Sequence, residues 1–295
     1  MSDAPQSRFF VAPDGLNLHA LLYGETEGDQ NSAPTPIVCL PGLTRPARDF
    51  DALARFLRGQ SPRRVVSIDY RGRGGSDWDP DWRHYCLPVE SADILAILDK
   101  LQIASAIFIG WSRGGLHAML LPGQRPELVK AMVLDDVGPA LDPAGLSLIK
   151  NYIGRLPLLR TFDEAAAWFK QNLGHFFPAV SDEHWLIYAH NSLIETPERL
   201  RLGYDPQLAR TLDAFDPQAP QHDLWPQFSA LTTPILTLRG STSNLLSEEV
   251  FAQMAQRNPL CQTHVVEGQG HAPLLLDKPT LGRIGEFVAQ IDQSF

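Results

Sequence analysis

The chain opens on alternation. Phe9, Phe10 and Val11 precede an Asp14-Gly15 pair, and beyond it Leu16, Leu18, Ala20 and Leu22 recur at every second position. Asp-Gly between two such runs predicts a β-hairpin. A polar stretch rich in Gly, Asn and Pro follows over 24–36, and the pattern then changes. Continuous apolar runs stand at 37–40, 65–68, 106–109 and 131–134. Short runs without alternation predict strands buried on both faces. Between them Phe50, Leu53, Ala54 and Leu57, and later Ile94, Leu95, Ile97, Leu98 and Leu101, recur at helical spacing. Strands that alternate with helices predict a parallel sheet covered on both sides.

The alternation stops after Pro139 and resumes at Pro234-Ile235-Leu236-Thr237-Leu238, followed by a helix over 248–255, a strand over 263–266 and a last helix over 281–291. The hairpin and six apolar runs together predict eight strands. The intervening stretch carries apolar residues at helical spacing, such as Ala165, Trp168 and Phe169, or Trp185, Tyr188 and Ala189. A segment this long cannot be a structureless loop inside a compact fold, so it predicts an inserted helical cap. The expected organisation is a core over 1–139 and 231–295, interrupted by a cap over 140–230. The cap aromatics Tyr152, Trp168, Phe169, Phe176, Phe177, Trp185 and Tyr188 read chiefly as the cap's own core.

Composition narrows the partners. The 295 residues carry 25 basic and 34 acidic side chains, a formal net charge of −9, with no basic run, which argues against nucleic acid and anionic membrane. No apolar run approaches the roughly 18 residues of a membrane span. The first residues, Met1-Ser2-Asp3-Ala4-Pro5-Gln6, lack the basic and apolar regions of a signal peptide. The three cysteines, Cys39, Cys86 and Cys261, show no metal-binding or disulfide spacing, so no metal is expected and a reducing cytoplasm is.

The chemistry concentrates at Ile109-Gly110-Trp111-Ser112-Arg113-Gly114-Gly115, which reads strand, G-x-S-x-G, helix. A serine at a sharp strand-to-helix turn has its hydroxyl pushed clear of the sheet, and the glycines remove side chains that would collide there. The backbone N–H of Arg113, at the helix N-terminus, then faces any oxyanion formed by attack. His271 stands in Gly268-Gln269-Gly270-His271-Ala272-Pro273, after a strand and before the last helix, where it can lean over the sheet edge and take the Ser112 proton. His117, on the helix after the serine, reads as a packing or capping residue.

With this Gly-Trp-Ser turn, Pro41-Gly42-Leu43-Thr44 after the first buried run and Asp69-Tyr70-Arg71-Gly72-Arg73-Gly74-Gly75-Ser76 after the second, the sequence resembles the α/β-hydrolase fold superfamily, serine-nucleophile branch. The likeness spans nearly the whole chain apart from the cap. The Gly-Trp-Ser turn resembles that of carboxylesterases acting on acyl methyl esters, and the other two turns those of enol-lactonase-like and carboxylesterase-like members. The resemblance implies a mostly parallel eight-stranded sheet and no cofactor. It also implies a second oxyanion donor after the first parallel strand, where Leu43 N–H is the candidate. The histidine usual before that glycine is Pro41 here. The charged turn 69–76 reads as structural rather than anion-binding.

One departure concerns the acid that orients the histidine. The superfamily usually carries it a few residues past the strand that here ends Leu238-Arg239-Gly240, and an asparagine, Asn244, stands there. Some members carry it after the preceding strand, and Asp136 falls at the matching place. Either Asp136 is the acid or the acid has been lost at Asn244; Glu248 and Glu249 are further carboxylates nearby. The resemblance thus implies a carboxylic ester hydrolase, an esterase or lactonase, forming a serine acyl-enzyme on a small, largely apolar ester. Ser112 would be nucleophile, His271 base and then acid. Serine at the turn speaks against the epoxide hydrolases and haloalkane dehalogenases of this fold, which attack through aspartate. A carbon–carbon bond hydrolase, a perhydrolase, or a ligand-binding receptor on the same scaffold (favoured by Asn244) are the alternatives.

Overall fold

The computed structural model describes residues 4–24, 34–219 and 223–294. Strands β1 (Gln6–Val11) and β2 (Asn17–Tyr23) form the hairpin at one edge of the sheet. Then come β3 (Ile37–Leu40), helix α1 (Asp51–Gln60), β4 (Val65–Asp69), α2 (Leu87–Lys100), β5 (Ala106–Trp111), α3 (Arg113–Leu120) and β6 (Val129–Asp135). The insertion holds α4 (Pro143–Tyr152), α5 (Phe162–Leu173), α6 (Asp182–Ser192), β7 (Leu193–Glu195), β8 (Leu200–Leu202) and α7 (Trp225–Ser229). The core closes with β9 (Ile235–Gly240), α8 (Glu248–Arg257), β10 (Cys261–Val266) and α9 (Lys278–Ser294). Eight strands pair in the order β1-β2-β4-β3-β5-β6-β9-β10. The two pairings of β2 are antiparallel and the rest parallel, as the run of buried apolar strands predicts. No helix among the described residues is long and apolar enough to cross a membrane.

The strand period of two sends successive side chains to opposite faces, and the core divides accordingly. Ile107, Ile109, Ala131 and Val133 pack with Leu53 and Leu57 of α1 and Ile284 and Phe287 of α9. Phe108, Met132 and Leu134 pack on the other side with Ile94 and Leu98 of α2, Met119 of α3 and Met254 of α8. Each fully buried side chain of this size stabilises the fold by about 1.5–3 kcal/mol. That reserve lets the sheet hold two non-glycine residues, Ser112 and Asp136, at positive φ, a conformation costing about 1–3 kcal/mol each.

The insertion is helical with one addition that its apolar spacing did not show. β7 and β8, three residues each, form a separate antiparallel hairpin too short to leave a periodic signature. Helices α4, α5 and α6 begin on side-chain caps. Asp142 accepts from Ala144 N–H, Ser181 from His184 N–H, and Thr161 and Glu164 cap each other reciprocally. Two arginines of the core hold the end of α6. Arg48 donates to the carbonyls of Asn191 and Leu193, and Arg45 donates to Ser192 Oγ with its guanidinium 4.0 Å from the Tyr188 ring centre. Cations at a helix C-terminus meet both its free carbonyls and its dipole.

Candidate active site

Parallel strands β3, β5, β6, β9 and β10 end at one edge of the sheet, and the loops that leave them carry every candidate residue. Ser112 follows β5 directly, at φ 50° and ψ −109°, and α3 starts at the next residue. The crossing is tight. A Cβ on Gly114 would lie 1.9 Å from the Leu40 carbonyl oxygen, and one on Gly110 would lie 2.4 Å from the Gly114 backbone. Only glycine allows helix and strands to approach so closely, which is the physical content of the motif.

Ser112 Oγ lies 2.9 Å from His271 Nε2, and His271 Nδ1 lies 2.8 Å from Asp136 Oδ2. Asp136 is fully buried. It also accepts the Gly240 N–H at 2.9 Å on Oδ1 and the Ser243 hydroxyl at 2.6 Å on Oδ2. A carboxylate only accepts, so Nδ1 of His271 carries the proton and Nε2 is left to accept from Ser112. The loop around His271 is braced: Gly268 N–H donates to Ser241 Oγ, and Gln269 links Asp277 to Leu274 N–H. Of the two positions left open for the acid, the structure brings Asp136 to the histidine. Asn244 instead lines the pocket beside it. Ser243, which steadies the carboxylate, carried no signal in the sequence.

The pocket over Ser112 encloses about 100 Å³. Five of the seven cap aromatics, Tyr152, Phe176, Phe177, Trp185 and Tyr188, line it, while Trp168 and Phe169 do not. Helical spacing marks a buried stripe without saying whether helix or cavity lies against it. Phe177 and Trp185 lie with Phe169 in one buried apolar cluster, Trp168, Phe176 and Tyr188 pack on it, and four of these also face the pocket. Besides Ser112 and His271, the wall carries Thr44, Arg45 and Asn244, and the polar ends of Tyr152 and Tyr188 belong to lining residues too. Leu43 also lines the pocket, and Arg113 opens α3 with an N–H that the helix itself cannot satisfy. His117 is buried between Ser91 and Glu90, away from this wall.

In the charged turn after β4, most bases and acids pair with one another. Arg71 donates to Asp93, Asp79 and Asp14, and Asp69 accepts from His19 and from Ala47 N–H. Asp14, Asp79 and His84 form the one trio of potential metal ligands among the described residues. Arg71 already occupies both of its carboxylates, and the trio lies outside the pocket.

Asp135, at the end of β6, is fully buried, and neither carboxylate oxygen has a partner among the described residues. Burial, and then the neighbouring charges of Asp136 and Asp277, raise its carboxyl well above the usual range. A raised folded-state value means that the unfolded chain releases this proton first. Stability is therefore lost as pH climbs above the ordinary aspartate value of about 3.9. Asp135→Asn is expected to raise the melting temperature by about 2 °C or more at pH 7, the shift that roughly 1 kcal/mol brings. The gain should vanish near pH 4. Melts of both proteins across that range check it, and a gain independent of pH would refute the cause given.

The fold and this edge define a class. A family model of the alpha/beta hydrolase fold matches residues 35–278, so the chain belongs to that family, and it is a hydrolase. It is 33% identical over 294 residues to the 3-hydroxybutyrate-oligomer hydrolase of Cupriavidus necator, covering 97% of this chain and 99% of that protein. It is 40% identical over 245 residues to the sn-1-specific diacylglycerol lipase ABHD11 of Xenopus laevis, covering 80% of this chain and 73% of that one. The crystal structure of an alpha/beta hydrolase from Novosphingobium aromaticivorans superposes with a TM-score of 0.89 at 38% identity, over 98% of this chain and 99% of that one.

Proposed function

We propose that the protein is a carboxylic ester hydrolase that works through an acyl-enzyme on Ser112. The observation that carries this reading is the hydrogen-bonded series Ser112, His271, Asp136 at 2.9 and 2.8 Å on the pocket floor. Ser112 Oγ attacks the ester carbonyl while its proton passes to His271 Nε2. Asp136 stabilises the imidazolium, and the N–H groups of Leu43 and Arg113 receive the oxyanion. Collapse breaks the ester C–O bond, and His271 protonates the departing alkoxide. Water, deprotonated by His271, then attacks the acyl carbonyl, and Ser112 leaves with the proton returned to it.

A pocket of about 100 Å³ suits a short acyl group rather than a fatty chain. The polar side chains of Thr44, Arg45, Asn244, Tyr152 and Tyr188, set among apolar ones, suit a hydroxyl or carbonyl on that group. Esters of short hydroxy acids meet both conditions, and the name of the Cupriavidus necator relative agrees with them. Three free thiols, Cys39, Cys86 and Cys261, support a reducing setting such as the cytoplasm.

The test is a panel of p-nitrophenyl acetate, butyrate and palmitate, a 3-hydroxybutyrate dimer and a small lactone. We expect kcat/KM for the butyrate and the dimer to exceed that for palmitate by about 10²-fold, since a chain that cannot enter loses binding energy otherwise used at the reacting carbon. No turnover of any ester by folded protein would leave the ligand-binding reading in its place.

A further inference from the structure

Behind the turn that carries Leu43 and the helix that opens with Arg113 lies a buried charge cluster that the steps above leave unused. Glu90, in the first turn of α2, is fully buried. Its Oε1 accepts from Arg73 Nη1 at 2.8 Å, and its Oε2 accepts from Arg113 Nε at 2.7 Å. Arg73 is equally buried, and its Nε donates to the Leu43 carbonyl at 2.8 Å. His117, one turn into α3, lies with Nε2 3.2 Å from Glu90 Oε2 and Nδ1 2.9 Å from Ser91 Oγ. Burial keeps its imidazole below the usual range, so it joins as a neutral donor. Burial pushes the Glu90 carboxyl up, but Arg113 and Arg73 outweigh this and hold it well below the ordinary range, ionised.

The two N–H groups read as oxyanion donors come from different loops. The β3–β5 ladder ends at the pair Leu40 and Gly110, so Leu43 stands three residues past the last pairing that could fix it against Ser112 and Arg113. The charge cluster spans that gap with hydrogen bonds to ionised partners, which are short and directional.

We propose that Glu90 is a positioning residue for the segments that carry the oxyanion donors: one carboxylate oxygen holds the Leu43 carbonyl through Arg73, and the other holds the Arg113 side chain at the start of α3. The proposal rests on the serine-hydrolase reading above. Its consequence is specific. Loosening the cluster displaces donors needed by the tetrahedral intermediate and leaves the ester-binding wall in place apart from Leu43, since its aromatic and cap residues make no hydrogen-bond or ring contact with Glu90 or Arg73 among the described residues. Misplacement by about 1 Å is enough to slow such a reaction on the order of 10²-fold.

Glu90→Gln should therefore lower kcat by about 10–100-fold with KM within about twofold, and weaken a trifluoromethyl ketone, which mimics the tetrahedral state, by the same factor as kcat. The double variant Glu90→Gln with Arg73→Met removes one charge of each sign and keeps the protein assayable where the single change unfolds it. We expect its melting temperature to recover while kcat stays low, because the Leu43 carbonyl is still unheld. Asp93→Asn, which breaks the equally buried pair with Arg71, is the comparison: it should lower the melting temperature and leave kcat unchanged. Recovery of kcat in the double variant, or a KM effect without a kcat effect, would overturn the positioning role. Wild-type labelling of Ser112 by a fluorophosphonate separates the two levels. An unlabelled wild type sinks the serine reading and this proposal with it, whereas a labelled wild type with unaltered turnover in Glu90→Gln sinks this proposal alone.

Discussion

Ser112→Ala is expected to lower kcat on ester substrates by about 10⁶-fold, the scale seen when a serine protease loses its nucleophile. The hydroxyl makes one side-chain hydrogen bond, to His271, and serves no packing role at the pocket floor. Alanine meets the same backbone demand at φ 50° as serine does. The melting temperature should thus stay close to wild type, and the loss should be chemical. His271 and Asp136 remain, together with the oxyanion donors, so a small residual rate over water is expected. Fluorophosphonate labelling should disappear with the hydroxyl. Labelling that survives the substitution would place the nucleophile elsewhere and end the proposed mechanism.

The elements were legible where one physical signal dominated. Runs such as Ile107-Phe108-Ile109 cannot be half-exposed, so they read as sheet interior, and the structure pairs them in an eight-stranded, mostly parallel sheet. The strand-to-helix serine turn was legible because glycines are required on both sides of it. The position of the acid was not. β6 and β9 are neighbours in parallel register, Asp135 opposite Leu238, so the loops after them emerge side by side and either could face the histidine. What separates them is tertiary: Asp136 takes a left-handed backbone and accepts from Gly240 at the end of β9 and from Ser243 in the loop after it, which aims its other contact at His271. Neither Ser243 nor Glu90 announces itself in a motif, because their work is done on partners more than 100 and about 20 residues away respectively. The second role of the cap aromatics is hidden for the opposite reason: Phe176, Phe177, Trp185 and Tyr188 pack in the apolar cluster and also line the pocket. Their spacing is plain, but a helical stripe looks the same against a pocket as against another helix.

The acid gives the second large effect, and its test discriminates two histories of this chain. A serine–histidine pair without a carboxylate loses the charge that favours imidazolium in the transition state and the tether that fixes the tautomer. In a serine protease this change to an amide lowers kcat by about 10⁴-fold. Asp136→Asn should reproduce that scale here, because the Asp136 carboxylate accepts from Nδ1 at 2.8 Å and an amide offers a donor on one side. The carboxylate is also held by Gly240 N–H and Ser243 Oγ, so Ser243→Ala should cost activity more mildly, through a less well aimed acid. Asn244→Asp makes the opposite point. If position 244 were the vacant seat of the acid, restoring it would raise kcat. In this structure Asn244 faces the pocket while Asp136 already holds the histidine, so an added carboxylate there gains nothing and places a second negative charge near the oxyanion. We therefore expect Asn244→Asp to leave kcat unchanged or lower it, measured beside Asp136→Asn on one ester at one pH. A large gain from Asn244→Asp with no loss from Asp136→Asn would mean that the working acid has been lost from this chain and that the contact seen at His271 is not catalytic.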